Sequence, residues 1–163
     1  MSGGIRTGRS RRRDGGQALA EFALVMPIAT LVIFGLVDLS RAMQSYVTIQ
    51  EAARSAARYA VTGRTDCTGV ATQSRMNCIA HEVAVRTASL NNASSITSSV
   101  ESWAYPNYAD PPAPDSAGNQ CDAVQVTVSY NYTPMTPIFN RLIPHVPMSS
   151  SDRMVNEPFG TCS

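Results

Sequence analysis

Twenty consecutive residues, Ala18 to Val37 (ALAEFALVMPIATLVIFGLV), carry a single charged side chain, Glu21. No other feature of the chain limits its fold so strongly. At about 1.5 Å rise per residue, a helix of this length reaches roughly 30 Å, the thickness of a bilayer hydrocarbon core. The run exceeds the apolar region of an ordinary secretory signal. The residues that follow it, Asp38-Leu39-Ser40-Arg41, contain no small-x-small cleavage site, so a retained membrane helix is expected. Pro27 would break a soluble helix but is tolerated in a membrane one when neighbours or water satisfy the freed carbonyl.

The net charge of +1 says little, whereas its distribution sets an orientation. Arg6, Arg9, Arg11, Arg12 and Arg13 crowd the first sixteen residues with Asp14 as the only acid, there is no lysine, and the remainder is mildly acidic. Such a terminus could neutralise phosphates. An apolar run follows it directly, however, and the positive-inside rule then accounts for the arginines by placing them in the cytoplasm and the C-terminal part outside. No nucleic-acid partner is expected. Cys67, Cys78, Cys121 and Cys162 all lie beyond the run, in sequence rich in Ser, Thr, Asn and Pro. They read as two disulfides in an oxidising compartment, which agrees with export. No close C-x-x-C pair supports structural zinc. Three connectivities are open, of which Cys67–Cys78 with Cys121–Cys162 is the most local. Closing a loop of about a dozen residues would stabilise the domain by roughly 3 kcal/mol.

The helix is predicted to continue past the membrane, from about Gln17 to Thr62. Leu39, Ala42, Met43, Tyr46, Ile49, Ala53, Ala56, Ala57 and Ala60 recur at helical spacing, and no Gly or Pro interrupts this stretch before Gly63. Its small-residue stripe admits two uses, close approach of another helix or packing on the chain's own domain. Beyond Gly63 the patterns predict a second helix over Ser74–Ala88, with Ile79, Val83 and either Val85 or Ala88 inward. A strand is predicted over Ile96–Tyr105, an exposed Pro-rich loop over Pro106–Gln120, the best strand over Asp122–Tyr132 and a partner over Pro147–Glu157. The fold class is α+β: a long N-terminal helix, a second helix and a small antiparallel sheet, stapled by disulfides.

Nothing in the pattern points to catalysis. His81 and His145 stand alone. Asp110, Asp115 and Asp122 do not follow an EF-hand spacing, and no P-loop or nucleophile elbow is present, so neither an enzyme nor a cofactor or metal is expected. Trp103, Tyr105 and Tyr108 are read as core and loop anchors, with an adhesive surface as the other use.

The informative constellation is Gly15-Gly16-Gln17-Ala18-Leu19-Ala20-Glu21-Phe22. A carboxylate inside an apolar segment is costly and marks a functional candidate, although Glu21 lies near enough to the cytoplasmic end to reach the headgroups. An Arg-rich leader, a Gly, and a Glu at the fifth position of an apolar helix resembles the processing site of type IV pilins and pseudopilins. The resemblance implies that a prepilin peptidase cuts between Gly16 and Gln17. It also implies that Glu21 meets the new α-amino group of a neighbouring subunit, which would offset the burial of both charges.

The stretch from Gly16 to Tyr59 resembles the N-terminal signature of TadE-like proteins of the tight-adherence (type IVc) pilus system. It has the Glu21–Pro27 core, Asp38 ending the apolar run and the Ala52–Ala60 helix; Ala20 departs from the more usual valine. A weaker likeness returns over Val124–Tyr130, Tyr132–Pro137 and Ser151–Glu157. This implies a leader over 1–16, a helix over 17–62 and an exported domain over 63–163. Major pilins of this system are far shorter, so the resemblance implies a minor pseudopilin that helps initiate or assemble a pilus. Its implied partners are the prepilin peptidase, other pilins or pseudopilins, the assembly platform and the membrane. The implied location is the cell membrane, single-pass, or the extracellular fibre. A permanently anchored binding module that is never polymerised is the alternative.

Overall fold

The computed structural model describes residues 11–158 and Cys162. In chain order the elements are α1 (Arg11–Val61), α2 (Arg75–Thr87), a 3-10 turn (Ala93–Ser95), β1 (Thr97–Trp103), β2 (Ala113–Pro114), β3 (Ala123–Tyr132), α3 (Pro137–Leu142) and β4 (Val146–Val155). The α+β class read from the sequence is the one found. Both cysteine pairs are bonded in the local connectivity, Cys67–Cys78 and Cys121–Cys162, with Cα separations of 5.6 and 5.8 Å.

Helix α1 is unbroken over 51 residues and passes through Pro27. Among the described residues it reaches back to Arg11, six residues before the expected Gln17. Gly15 and Gly16 each weaken a helix by about 1 kcal/mol relative to Ala, but extending a long preformed helix requires no new nucleus. Its C-terminus is a turn in which the Thr62 and Gly63 amides donate to Tyr59 and Ala60 carbonyls, with Gly63 at φ +66°.

The strands form one antiparallel sheet in the order β2-β1-β3-β4. Strand β3 alternates as its sequence predicts. Val124, Val126, Val128, Tyr130 and Tyr132 are buried beneath the helices, while Gln125, Thr127, Ser129 and Asn131 face the other side. Its ten residues extend roughly 31 Å, close to the roughly 35 Å that α1 rises between Asp38 and Val61. The sheet and the outer half of α1 are therefore matched in length. They are joined at both ends: Glu157 N–H donates to the Val61 carbonyl at the far end, and Tyr132 O–H to the Asp38 carbonyl at the near end. The two-residue β2, with Pro114, lies at the sheet edge, where a missing N–H costs nothing.

The alanine stripe packs on the chain's own domain. Ile49, Ala52, Ala53, Ala56, Ala57 and Ala60 are fully buried, and apart from Ala52 they belong to one core with Ile79, Val83, Val100 and the inner face of β3. Nearer the membrane the inward face differs from the expected one. Leu39, Met43 and Tyr46 are exposed, and Asp38 and Ser45 are buried in their place. The domain docks on the line 38, 42, 45, 49, 53, 56, 60, which is one continuous helical face. Leu39, Met43 and Tyr46 continue the apolar surface of the lower helix instead. In α2, Ser74 caps the N-terminus through Asn77 N–H (3.2 Å), and Ile79 and Val83 are buried as expected. Val85 and Ala88 are exposed, and the third inward position is Thr87, whose hydroxyl donates to the Val83 carbonyl (2.8 Å).

One polar hub locks the far end. The Arg75 guanidinium donates to the carbonyls of Ala60 and Gly118 and to Asn156 Oδ1; the latter two bonds are both 2.8 Å. Asn156 in turn donates to the carbonyls of Ala117 and Asn119. Burial lowers the Arg75 pKa, and the nearby Asp122 carboxylate opposes that shift. Gly118 sits at φ +69°, and a Cβ there would lie 2.8 Å from the Asp122 Cβ, so glycine is required.

The α1–α2 contact contains a titrating group. Ser55 O–H donates to Glu82 Oε1 (2.7 Å), and Arg86 pairs with the same oxygen (2.9 Å). The Ser55 bond first, then Arg86 and the more distant His81, hold the Glu82 pKa below its ordinary value against desolvation. A depressed carboxylate pKa contributes stability above the unfolded-state value, and this contribution is lost as pH falls through the folded value. Glu82→Gln should therefore lower stability near neutrality and cost progressively less below the ordinary glutamate range. Denaturant unfolding of both chains across pH would check this, and a pH-independent difference would contradict it.

Candidate processing and assembly site

Gly16, Gln17 and Glu21 lie on one helix, which fixes their relation by the 3.6-residue repeat. Gln17 Nε2 donates to Glu21 Oε1 at 3.0 Å, an i,i+4 pair on an exposed face. A Cβ added to Gly16 would meet nothing within 4 Å, so the backbone there is open to approach. Glu21 is the only charge in the apolar run, and the run is almost wholly uncovered by protein. Its carboxylate lies on an exposed face of the helix. Arg6 and Arg9 of the basic terminus lie outside the described residues. The described residues contain one helix long and apolar enough to cross a membrane, within Gly16–Val61.

The exposed side chains above the run form a second strip. Leu36, Leu39, Met43, Tyr46 and Val47 remain accessible on α1, the last four beyond the apolar segment. Their spacing of three and four residues keeps them on one side of the helix. The apolar surface thus continues past the apolar run on a face the domain does not cover.

Asp38, at the end of the apolar run, joins the helix to the domain. It is 8% exposed, and its carboxylate accepts from Met135 N–H (3.2 Å), Thr136 N–H (3.3 Å) and the Thr136 hydroxyl. Those residues form the N-terminus of α3, a helix absent from the sequence-based expectation. Its signal is present nonetheless, as Thr136 at the cap position followed by Pro137 at the first helical position. Tyr132, whose hydroxyl reaches the Asp38 carbonyl, has its pKa raised by burial and then by the Asp38 charge.

The remaining candidates are structural. Asp122 accepts from the amides of Tyr105 (2.9 Å) and Asn119 (2.7 Å). Tyr108 O–H donates to the Cys121 carbonyl (2.6 Å), and the Arg153 guanidinium lies 4.0 Å from the centre of the Trp103 ring, a cation–π contact. Among the described residues no group of three His, Cys, Asp or Glu side chains is arranged to hold a metal ion.

No curated protein and no solved structure matches the chain. Residues 16–58 match the family model described as TadE-like protein, the same stretch that carries Gly16, Glu21 and Asp38.

Proposed function

We propose that the chain is a minor pseudopilin that helps initiate or assemble a tight-adherence pilus. On this reading a prepilin peptidase cuts between Gly16 and Gln17, with the arginine-rich terminus in the cytoplasm and the sheet domain outside. The supporting observation is the single uninterrupted helix that leads from the Gly16–Glu21 junction into the exported core. Its membrane half is left bare, and its upper half exposes Leu39, Met43 and Val47 on a strip the domain does not use. A helix of this kind can exchange lipid for the helices of other pilins without rearranging its own domain. Glu21 would then pair with a neighbouring subunit's new amino group, setting the axial register. Intact-mass analysis of the protein from its native membrane should give a chain beginning at Gln17. A terminus at Met1 or Ser2 would exclude the pseudopilin reading and leave a permanently anchored binding module.

A further inference from the structure

Beyond residue 47 the domain exposes seven large apolar side chains among the described residues, and four of them, Met135, Ile138, Leu142 and Ile143, fall within nine consecutive positions. These belong to α3 and its two ends, and α3 itself buries no residue. Six residues of helix with no buried face would not persist in water on their own. The segment is pinned at Asp38, and the Phe139 ring rests on Gly35, where an added Cβ would lie 3.3 Å from it.

Gly35 is inside the apolar run, three residues or roughly 4.5 Å below Asp38 along the helix. The bonds to Asp38 and the Phe139–Gly35 contact therefore set the depth of α3 at the boundary between hydrocarbon and headgroups. Ile138 and Leu142, four residues apart, share one face. The charge pattern fits the same place. Between Asp122 and Asp152 there is no acidic residue, while Arg141 is exposed and Arg41 lies beside Met135. Arginine at this depth extends its guanidinium to lipid phosphates and leaves its stem in the apolar layer.

We propose that Met135–Ile143 is a second membrane contact, inserted into the outer interface of the bilayer beside α1. The domain would then be held by two points, and would not swivel on a single helix. The inference rests on the anchoring and orientation proposed above.

The test uses the full-length chain in vesicles of phosphatidylcholine and phosphatidylglycerol, with Trp103→Phe as background. Ile138→Trp and Leu142→Trp report the segment, Val25→Trp reports the apolar run, and Val85→Trp reports the exposed face of α2. Circular dichroism like that of the wild type identifies folded variants. Tryptophans at 138 and 142 should emit at shorter wavelength than at 85. They should lose most of their emission to lipids brominated high on the acyl chain, and resist aqueous iodide.

The proposal is overturned if iodide quenches positions 138 and 142 as strongly as position 85 while position 25 stays lipid-quenched. It is equally overturned if their protection from iodide grows with protein density without bromine quenching, since the face would then be a protein contact. If position 25 is itself not lipid-quenched, the anchor fails and this contact with it.

Discussion

Gly16→Leu should abolish cutting at the Gly16–Gln17 bond and leave the full-length precursor accumulated in the membrane. The structure makes this a clean test of the proposed processing. A Cβ at Gly16 meets nothing within 4 Å, and leucine is a better helix former than glycine by about 1 kcal/mol. The substitution therefore firms the local helix, and loss of cutting cannot be ascribed to misfolding. What it removes is access, because a side-chain-free residue lets a protease approach the backbone closely. The same substitution at Gly15 should matter much less.

Glu21→Gln separates cutting from assembly. Its effect on the helix is small because the Gln17–Glu21 bond is exposed. On the proposed reading it reduces incorporation with pilin partners by removing the charge that pairs with a neighbour's amino group. Intact mass reads the first outcome, and co-fractionation with sheared pili reads the second. A mature Gly16→Leu chain starting at Gln17 would defeat the peptidase reading. A Glu21→Gln chain that is processed and incorporated like wild type would remove Glu21 from the register role.

Much of the fold is legible because its strongest signals are local. The apolar run, the α2 pattern over Ser74–Ala88, and the alternation of β3 each follow from residues within one element, and each is found. The inner face of α1 is a harder case. Ile49 to Ala60 is readable because small and apolar residues coincide with the buried side there. Between Asp38 and Tyr46 the coincidence fails, since the domain meets the helix through a buried carboxylate and Ser45 while Leu39 and Met43 stay outside. Hydrophobic periodicity cannot distinguish a face that packs on its own domain from one that continues a membrane surface. The hub of Arg75, Gly118 and Asn156 joins residues more than forty positions apart, and pattern carries no information on such pairing. Of the junction, Gly16 and Glu21 stand out through the resemblance to a pilin processing site. Asp38 is visible as the acid that ends the run, but its partners at Met135 and Thr136 are nearly a hundred residues away.

Asp38→Ala should destabilise the sheet domain by about 3 kcal/mol, because it leaves two amides and a hydroxyl without their shared acceptor at a largely buried position. Water at the exposed edge of Met135 recovers part of this, so the loss stays below the sum of three charged hydrogen bonds. Asp38→Asn keeps one carbonyl oxygen and the volume, and should cost about 1 kcal/mol. The effect is also local in a way stability alone does not show. Freed from Asp38, the Thr133–His145 connection loses its tie to the helix, and proteolysis should begin there before it reaches the sheet. Urea unfolding of the detergent-solubilised full chain, followed by Trp103 fluorescence, gives the first quantity, and mapping of early protease cuts gives the second. A double-mutant cycle with Thr136→Val should show coupling of about 1–2 kcal/mol, as expected for groups in direct contact. If Asp38→Ala stays within about 0.5 kcal/mol of wild type, as an ordinary surface change would, Asp38 does not hold the domain to its anchor.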